Sequence, residues 1–422
     1  MMPLLRAASA LLGPRPLRRL ALLGTATFAV PPITAAAALM TLDAVKKNDR
    51  KEREAPRPGT FEASVRDSRL TIYTSGSDVY ADMLAAIDGA EHTVLMETFI
   101  WKGDEMGARF VDAFNRAAER GVDVHVLYDG FGNLVVDRKF YRTISPKVHV
   151  RRLPGFARPY WQGILRHTGF NHSKILIVDD ETGFVGGYNI GSLYSRQWRD
   201  THLRAEGPVV WGLRNSMRRV WNEVAKDSQA EVAWIPPDEW DPAMRVSANL
   251  PLQLVYPIRQ TYLEAIERAQ DHIYLNTPYF IPDQQVLHAL VDAAQRGVDV
   301  RVMIPKKSNH IVADFAARGS YGQLLDAGVT ILLYEAAMIH AKTATIDGIW
   351  STIGTANIDR LSLSFNYETN VEIIDRDFAA EMEKVFAADS EHCETLQSPR
   401  WRERHPIARL TEQALVPLRP FL

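Results

Sequence analysis

One nine-residue pattern is written twice in this chain. Asn171-His172-Ser173-Lys174-Ile175-Leu176-Ile177-Val178-Asp179 reads H-x-K-x4-D, and Ile339-His340-Ala341-Lys342-Thr343-Ala344-Thr345-Ile346-Asp347 repeats it. The residues between Lys and Asp are apolar or β-branched in both copies, which predicts strands. Positions i and i+2 of a strand share a face, so each His and its Lys point the same way. Asp179 and Asp347 fall where the strands turn, at Asp179-Asp180-Glu181-Thr182-Gly183 and Asp347-Gly348.

The repeat extends past the motif. A shift of 168 positions that lays His172 on His340 also lays Gly186 on Gly354, Asn189 on Asn357 and Asp200 on Glu368, without a gap. A single H-x-K-x4-D arises by chance in roughly a few per cent of chains this long. Two copies with the same downstream spacing make a strong signal.

The double pattern resembles the phospholipase D superfamily, whose members build one active site from two such motifs. The resemblance covers about residues 67–390. Trp198-Arg199-Asp200-Thr201-His202, Glu206-Gly207-Pro208, Tyr279-Phe280-Ile281-Pro282 and Asn366-Tyr367-Glu368-Thr369-Asn370 resemble the bacterial cardiolipin synthase branch. There are two departures. The Ser of the family's G-S-x-N pattern is Gly187 in the first copy and Thr355 in the second. The Asp two residues after the Asn is kept as Asp359 but is Gly191 in the first copy. The expectation is that the first copy holds phosphate with one hydroxyl donor fewer.

Two α/β halves are expected. Leu70–Tyr73, Thr93–Phe99 and Val122–Leu127 read as strands, with helices near 78–90 and 105–120. The second half repeats the order with Leu252–Tyr256, a helix near 258–269, His272–Asn276, a helix near 284–296 and Val298–Ile304. Gly121 and Gly297 each close a helix before an apolar strand, a C-cap signature. The fold class is therefore α/β: two homologous sandwich halves forming one pseudo-twofold unit, with a hydrophobic helix at the N-terminus. The division reads 1–45 basic N-terminus and anchor, 46–66 linker, 67–235 first half, 236–250 linker, 251–390 second half, 391–422 tail.

Arg6, Arg15, Arg18 and Arg19 precede an uncharged run from Leu20 to Leu42. Its 23 residues suffice to cross a bilayer of about 30 Å, so its length and composition favour an uncleaved cell-membrane anchor. A secretory signal cleaved near Ala35-Ala36-Ala37 is the competing reading. A formal net charge of −2 gives no basic footprint for nucleic acid. The single cysteine, Cys393, excludes an intrachain disulfide and a Cys-rich metal site, and no His lies in an H-E-x-x-H context. No metal or other cofactor is expected.

A phosphodiester repels anionic nucleophiles, so its site needs cations, a nucleophile and an acid. One imidazole of His172 and His340 attacks phosphorus, and the other protonates the departing alkoxide. Lys174 and Lys342, with the amides of Asn189 and Asn357, stabilise the added charge of the transition state. Asp200 and Glu368 are candidates for holding an imidazole in its tautomer. Asp179 and Asp347 belong to the motif, but a turn Asp often caps its own backbone. Glu97 and Asn276 end matching strands, where α/β proteins gather ligands. The segment Phe156–Arg166 mixes aromatics, aliphatics and arginines, which suits a membrane interface or a packed loop. The resemblance implies a membrane-associated phosphatidyltransferase using phosphatidylglycerol, with His172 as nucleophile. Hydrolysis to phosphatidic acid and nucleic-acid phosphodiester cleavage are the alternatives.

Overall fold

A computed structural model describes residues 32, 34–41, 54–154, 169–224, 230–237 and 239–421. The sequence repeat becomes two mixed sheets of matching strand order. The first runs β1 (Thr60–Val65), β2 (Ser68–Tyr73), β9 (His202–Glu206), β7 (Thr182–Gly186), β6 (Ile175–Val178), β3 (Thr93–Thr98), β4 (Asp123–Asp129) and β5 (His149–Leu153). The second runs β10 (Met244–Asn249), β19 (Glu368–Ile374), β17 (Trp350–Gly354), β16 (Thr343–Ile346), β11 (His272–Asn276), β13 (Asp299–Pro305), β14 (Thr330–Tyr334) and β20 (Cys393–Thr395). Laying β2 on β10 superposes the order of every later strand, with β1 added at one edge and β20 at the other.

The motif strands β6 and β16 lie in the middle of their sheets, each antiparallel to the first of three parallel strands. Period-two alternation explains why both faces of β6 are apolar. Ile175 and Ile177 enter the core shared by the halves, while Leu176 and Val178 pack under the outer helices. One such helix, Glu105–Glu119, buries Phe110, Val111 and Phe114 and is capped by Asp104, which accepts from the Gly107 amide at 3.0 Å. Gly121 and Gly297 end the matching helices at φ +95° and +96°, as their sequence context predicts.

Strands β7 and β9 face β17 and β19 across the molecule. Val185, Leu203, Ile353 and Val371 meet there, closed in by Leu213 and Met217 of the helix Val209–Glu223 and by Phe378 and Met382 of the helix Arg376–Ser390. Each fully buried aliphatic of this kind contributes about 1.5–3 kcal/mol, so this core fixes the two motifs relative to each other.

The structure corrects three sequence expectations. Thr60–Val65, assigned to the linker, is β1 and pairs with β2 along its whole length while the helix Arg376–Ser390 packs beside it. Met244–Asn249, assigned to the second linker, is β10. Leu252–Tyr256 is not a strand, because Pro251 has no N–H for a ladder and opens a 3-10 turn that ends with Leu254 at φ +57°. The segment Phe156–Arg166 and most of the apolar run Leu20–Leu42 lie outside the described residues. Among the described residues no helix is long and apolar enough to cross a membrane.

Candidate active site

The two motifs meet by exchanging backbone. Asn171 bridges to Tyr367 in parallel, and Ile339 of β15 (Met338–Ile339) pairs the same way with Arg199 of β8 (Trp198–Arg199). The amide of His172 donates to the Tyr367 carbonyl at 3.0 Å, and that of His340 to the Arg199 carbonyl at 2.7 Å. The next residue after each acceptor is a carboxylate, which is thereby delivered to the opposite half. Glu368 Oε1 and Oε2 lie 3.0 and 3.1 Å from His172 Nδ1, and Asp200 Oδ2 lies 2.7 Å from His340 Nδ1. A carboxylate accepts, so Nδ1 carries the proton in each ring and Nε2 keeps its lone pair.

All four motif bases are buried: His172 and His340 are 7% and 4% exposed, and both lysines 1%. Burial pushes the His172 pKa below its ordinary value, against the pull of Glu368. His340 is pushed down further, by burial and then by Lys342, Lys174 and His172. Burial lowers Lys174 to about 7 and Lys342 to about 8, while Glu368 and Asp200 oppose the change. The Lys174 ammonium donates to the His172 carbonyl at 2.6 Å, and Lys342 donates to that of His340. An ammonium has three donors, and this contact uses one. Two lysines and two imidazoles thus converge in a buried site where an anionic phosphodiester would raise all four pKa values.

The family described as "Cardiolipin synthase, PLD-like domain" matches residues 83–221 and 262–390, one block in each half. The major cardiolipin synthase ClsA of Bacillus subtilis (strain 168) is 32% identical over 373 residues, covering 83% of this chain and 76% of that protein. A cardiolipin synthase of Staphylococcus aureus (strain Mu50) is 31% identical over 375 residues, covering 84% and 74%. The chain belongs to the cardiolipin synthase family. It is a phosphatidyltransferase of the phospholipase D superfamily. The crystal structure of phosphatidylserine synthase from Haemophilus influenzae Rd KW20 shares the fold, with a TM-score of 0.63 at 14% identity over 86% of this chain and 94% of that one.

The departures of this cardiolipin synthase family member from the G-S-x-N pattern have a physical meaning that differs from the sequence expectation. Thr355 is no phosphate donor here: its hydroxyl donates to Glu368 Oε2 at 2.5 Å, gripping the carboxylate that orients His172. At Gly187 a Cβ would stand 2.0 Å from Asp200 Oδ1, so the missing side chain makes room for the shorter carboxylate. Asp200 also accepts from the Thr201 amide at 2.8 Å, and burial raises it to about 6.

Other expected site residues divide. Asn189 Oδ1 accepts from the Ile100 amide at 3.1 Å, and Asn357 donates to Ser362 Oγ at 3.2 Å while its Oδ1 is buried without a partner. Glu97 is buried beside Lys174 and the Asn171 amide, and burial raises it to about 8. Asn276, its counterpart, rests on Met303 Sδ at 3.5 Å. Asp179 and Asp347 are not brought to the cluster. Each ends its strand at φ +54° and accepts three amides, from Glu91, His92 and Thr93 and from Gln270, Asp271 and His272. They tie the hairpin of the motif strand to the start of the neighbouring strand, so their place is structural.

Three further residues support the site. Asp129 Oδ2 accepts from the Asn171 amide at 2.8 Å, and burial raises it to about 6. Its place at the carboxyl end of β4 was the available signal. Asp359 caps Ser362 at 2.7 Å and is raised to about 7 by burial. Arg199 forms a fully buried two-point pair with Asp389, at 2.8 and 2.7 Å, joining the loop that carries Asp200 to the other half. No local pattern announces Asp389.

Proposed function

We propose that the protein joins two phosphatidylglycerol molecules into cardiolipin and glycerol through a covalent phosphohistidine. His172 Nε2 attacks the phosphorus of the first lipid, and the bond to its headgroup glycerol breaks. His340 gives that leaving alkoxide its proton. His340, now neutral, takes the proton of a headgroup hydroxyl on the second lipid. That oxygen attacks phosphorus and releases His172. Lys174 and Lys342 stabilise the charge on the non-bridging oxygens in both steps. The crossed dyads carry this reading, because they leave both Nε2 atoms lone-paired and set each imidazole from the opposite half.

The assignment of attacker and acid follows the resemblance to phospholipase D relatives. Burial holds both imidazoles below their ordinary pKa and so favours their neutral forms. The negative charge of a bound phosphodiester restores the proton His340 must supply. Transfer in place of hydrolysis requires water to be kept from the intermediate, which burial of all four bases favours.

Purified full-length protein in detergent micelles should convert phosphatidylglycerol into cardiolipin with one glycerol released per product. Phosphatidic acid as the sole lipid product would replace this reading with a hydrolase. We also propose that Leu20–Leu42 anchors the chain in the cell membrane. The protein should then stay in membranes through a high-pH carbonate wash, and a soluble chain beginning near residue 38 would favour the cleaved signal.

A further inference from the structure

The loop after β4 has a rooted base and an unpartnered tip. At the base, Asp129 holds the Asn171 amide, Asn133 accepts from Trp101 N at 2.7 Å and donates to the Phe99 carbonyl at 2.8 Å, and Phe131 stacks on Phe170 at 4.3 Å. Phe99 in turn meets the His172 ring at 4.9 Å. The base therefore forms one wall of the site. At the tip, Leu134 is 60% and Val135 85% exposed. A soluble loop tip ordinarily carries polar or turn residues, so two adjacent bare aliphatics need a reason.

The surrounding charge supplies one. From Gly130 to Pro154 the sequence has Arg138, Lys139, Arg142, Lys147, Arg151 and Arg152 against a single acid, Asp137. Arg138, Lys139 and Arg142 are exposed and follow the tip directly. The acid is committed, since Asp137 Oδ1 caps the Lys139 amide at 2.9 Å. The matching loop of the second half, Lys306-Lys307-Ser308-Asn309-His310, has no aliphatic residue, and Ile311 and Val312 after it are only partly exposed. An apolar point with a cationic collar, on one half only, is the chemistry of an anionic lipid surface.

We propose that Leu134 and Val135 insert into an anionic phospholipid bilayer while Arg138, Lys139 and Arg142 hold its headgroups, seating the mouth of the catalytic cleft on the membrane. This rests on the reading of the protein as a phosphatidyltransferase acting on bilayer lipid. The seat explains how a buried site obtains a substrate whose chains stay in the membrane. A lipid drawn up beside Phe131 and Phe99 would reach His172 with its headgroup first.

The test uses full-length protein reconstituted in vesicles of phosphatidylglycerol and phosphatidylcholine. Val135→Cys, in a Cys393→Ser background, carries a polarity-sensitive thiol dye. Glu119→Cys, an exposed position near the start of β4 and so at the far end of that strand from the tip, is the control. The dye at 135 should shift to the blue and be quenched by spin-labelled lipid chains, and the dye at 119 should do neither. The double variant Leu134→Asp/Val135→Asp should turn over vesicle phosphatidylglycerol at least about tenfold more slowly, yet match the parent on a short-chain phosphatidylglycerol dissolved as monomers. A dye at 135 that stays in water overturns the proposal. So does a dye already shielded without vesicles, which would mean that this chain or a second copy covers the tip. Equal effects of the double variant on both substrate forms, or none on either, also overturn it. A parent enzyme that makes only phosphatidic acid refutes the transferase reading and leaves the dye result standing.

Discussion

Asp200 of the first half holds His340 of the second, with Oδ2 at 2.7 Å from Nδ1, and Glu368 returns the arrangement to His172. Neither half therefore contains a complete catalytic imidazole. Asp200→Asn and Glu368→Gln replace an acceptor-only carboxylate by an amide whose NH2 can face Nδ1 and favour the other tautomer, so each should lower kcat by about 10²–10⁴ with KM changed only a few-fold. Steady-state kinetics on micellar phosphatidylglycerol checks this. A fall confined to KM would assign the carboxylates to binding.

Restoring the family's usual Ser at position 187 should harm this enzyme. A Cβ there meets Asp200 Oδ1 at 2.0 Å and Oδ2 at 2.4 Å, so Gly187→Ser must push the carboxylate off His340. A loss of at least about tenfold in kcat is expected. Thr355→Val should cost less, because Glu368 keeps its contact with His172 after losing one donor. Gly187→Ser with parental kcat would show that Asp200 has room to move.

Ammonium groups stand where metal phosphodiesterases place clustered carboxylates and an ion. Turnover in detergent micelles should therefore survive EDTA. Complete loss on chelation, restored by one divalent ion, would contradict the roles given to Lys174 and Lys342.

His202 gives a stability signature. It is buried, both ring nitrogens lack partners, and burial holds its pKa near 3 against an ordinary value of 6.5. A histidine kept neutral in the native state is protonated first in the unfolded chain, so its contribution is lost as pH falls from 6.5 towards 3. Between pH 7 and pH 5 that amounts to about 2 kcal/mol. His202→Asn places the residue found at its counterpart, Asn370, and should lose about that much less stability than the parent in denaturant unfolding at the two pH values. Parallel losses would mean that His202 is solvated.

The sequence made the motif strands, the helix-ending glycines and the pairing of catalytic residue types legible, because each depends on short-range periodicity or turn geometry. It left open which carboxylate serves which histidine. That depends on Tyr367 and Arg199 receiving the backbone of the opposite motif, contacts that span well over a hundred residues. β1 was hidden because its alternation, Thr60-Phe61-Glu62-Ala63-Ser64-Val65, is short and follows directly on a charged, Pro-containing stretch. The Arg199–Asp389 pair was hidden because an Asp near the end of a helix carries no mark of its partner. Thr355 was misjudged because a hydroxyl beside a phosphate site suggests a phosphate donor, and only geometry turns it towards Glu368.

The claim that a phosphohistidine forms on His172, with His340 as acid, is tested most directly by intact-protein mass after quenching with an activated lipid substrate. A good leaving group needs no acid, so His340→Ala should still be phosphatidylated and then stall, lacking a base for the acceptor. His172→Ala should remain unmodified, and neither variant should turn over unactivated phosphatidylglycerol. An adduct on His172→Ala but not on His340→Ala would reverse the roles, and turnover by either variant near the parental rate would contradict the two-histidine mechanism.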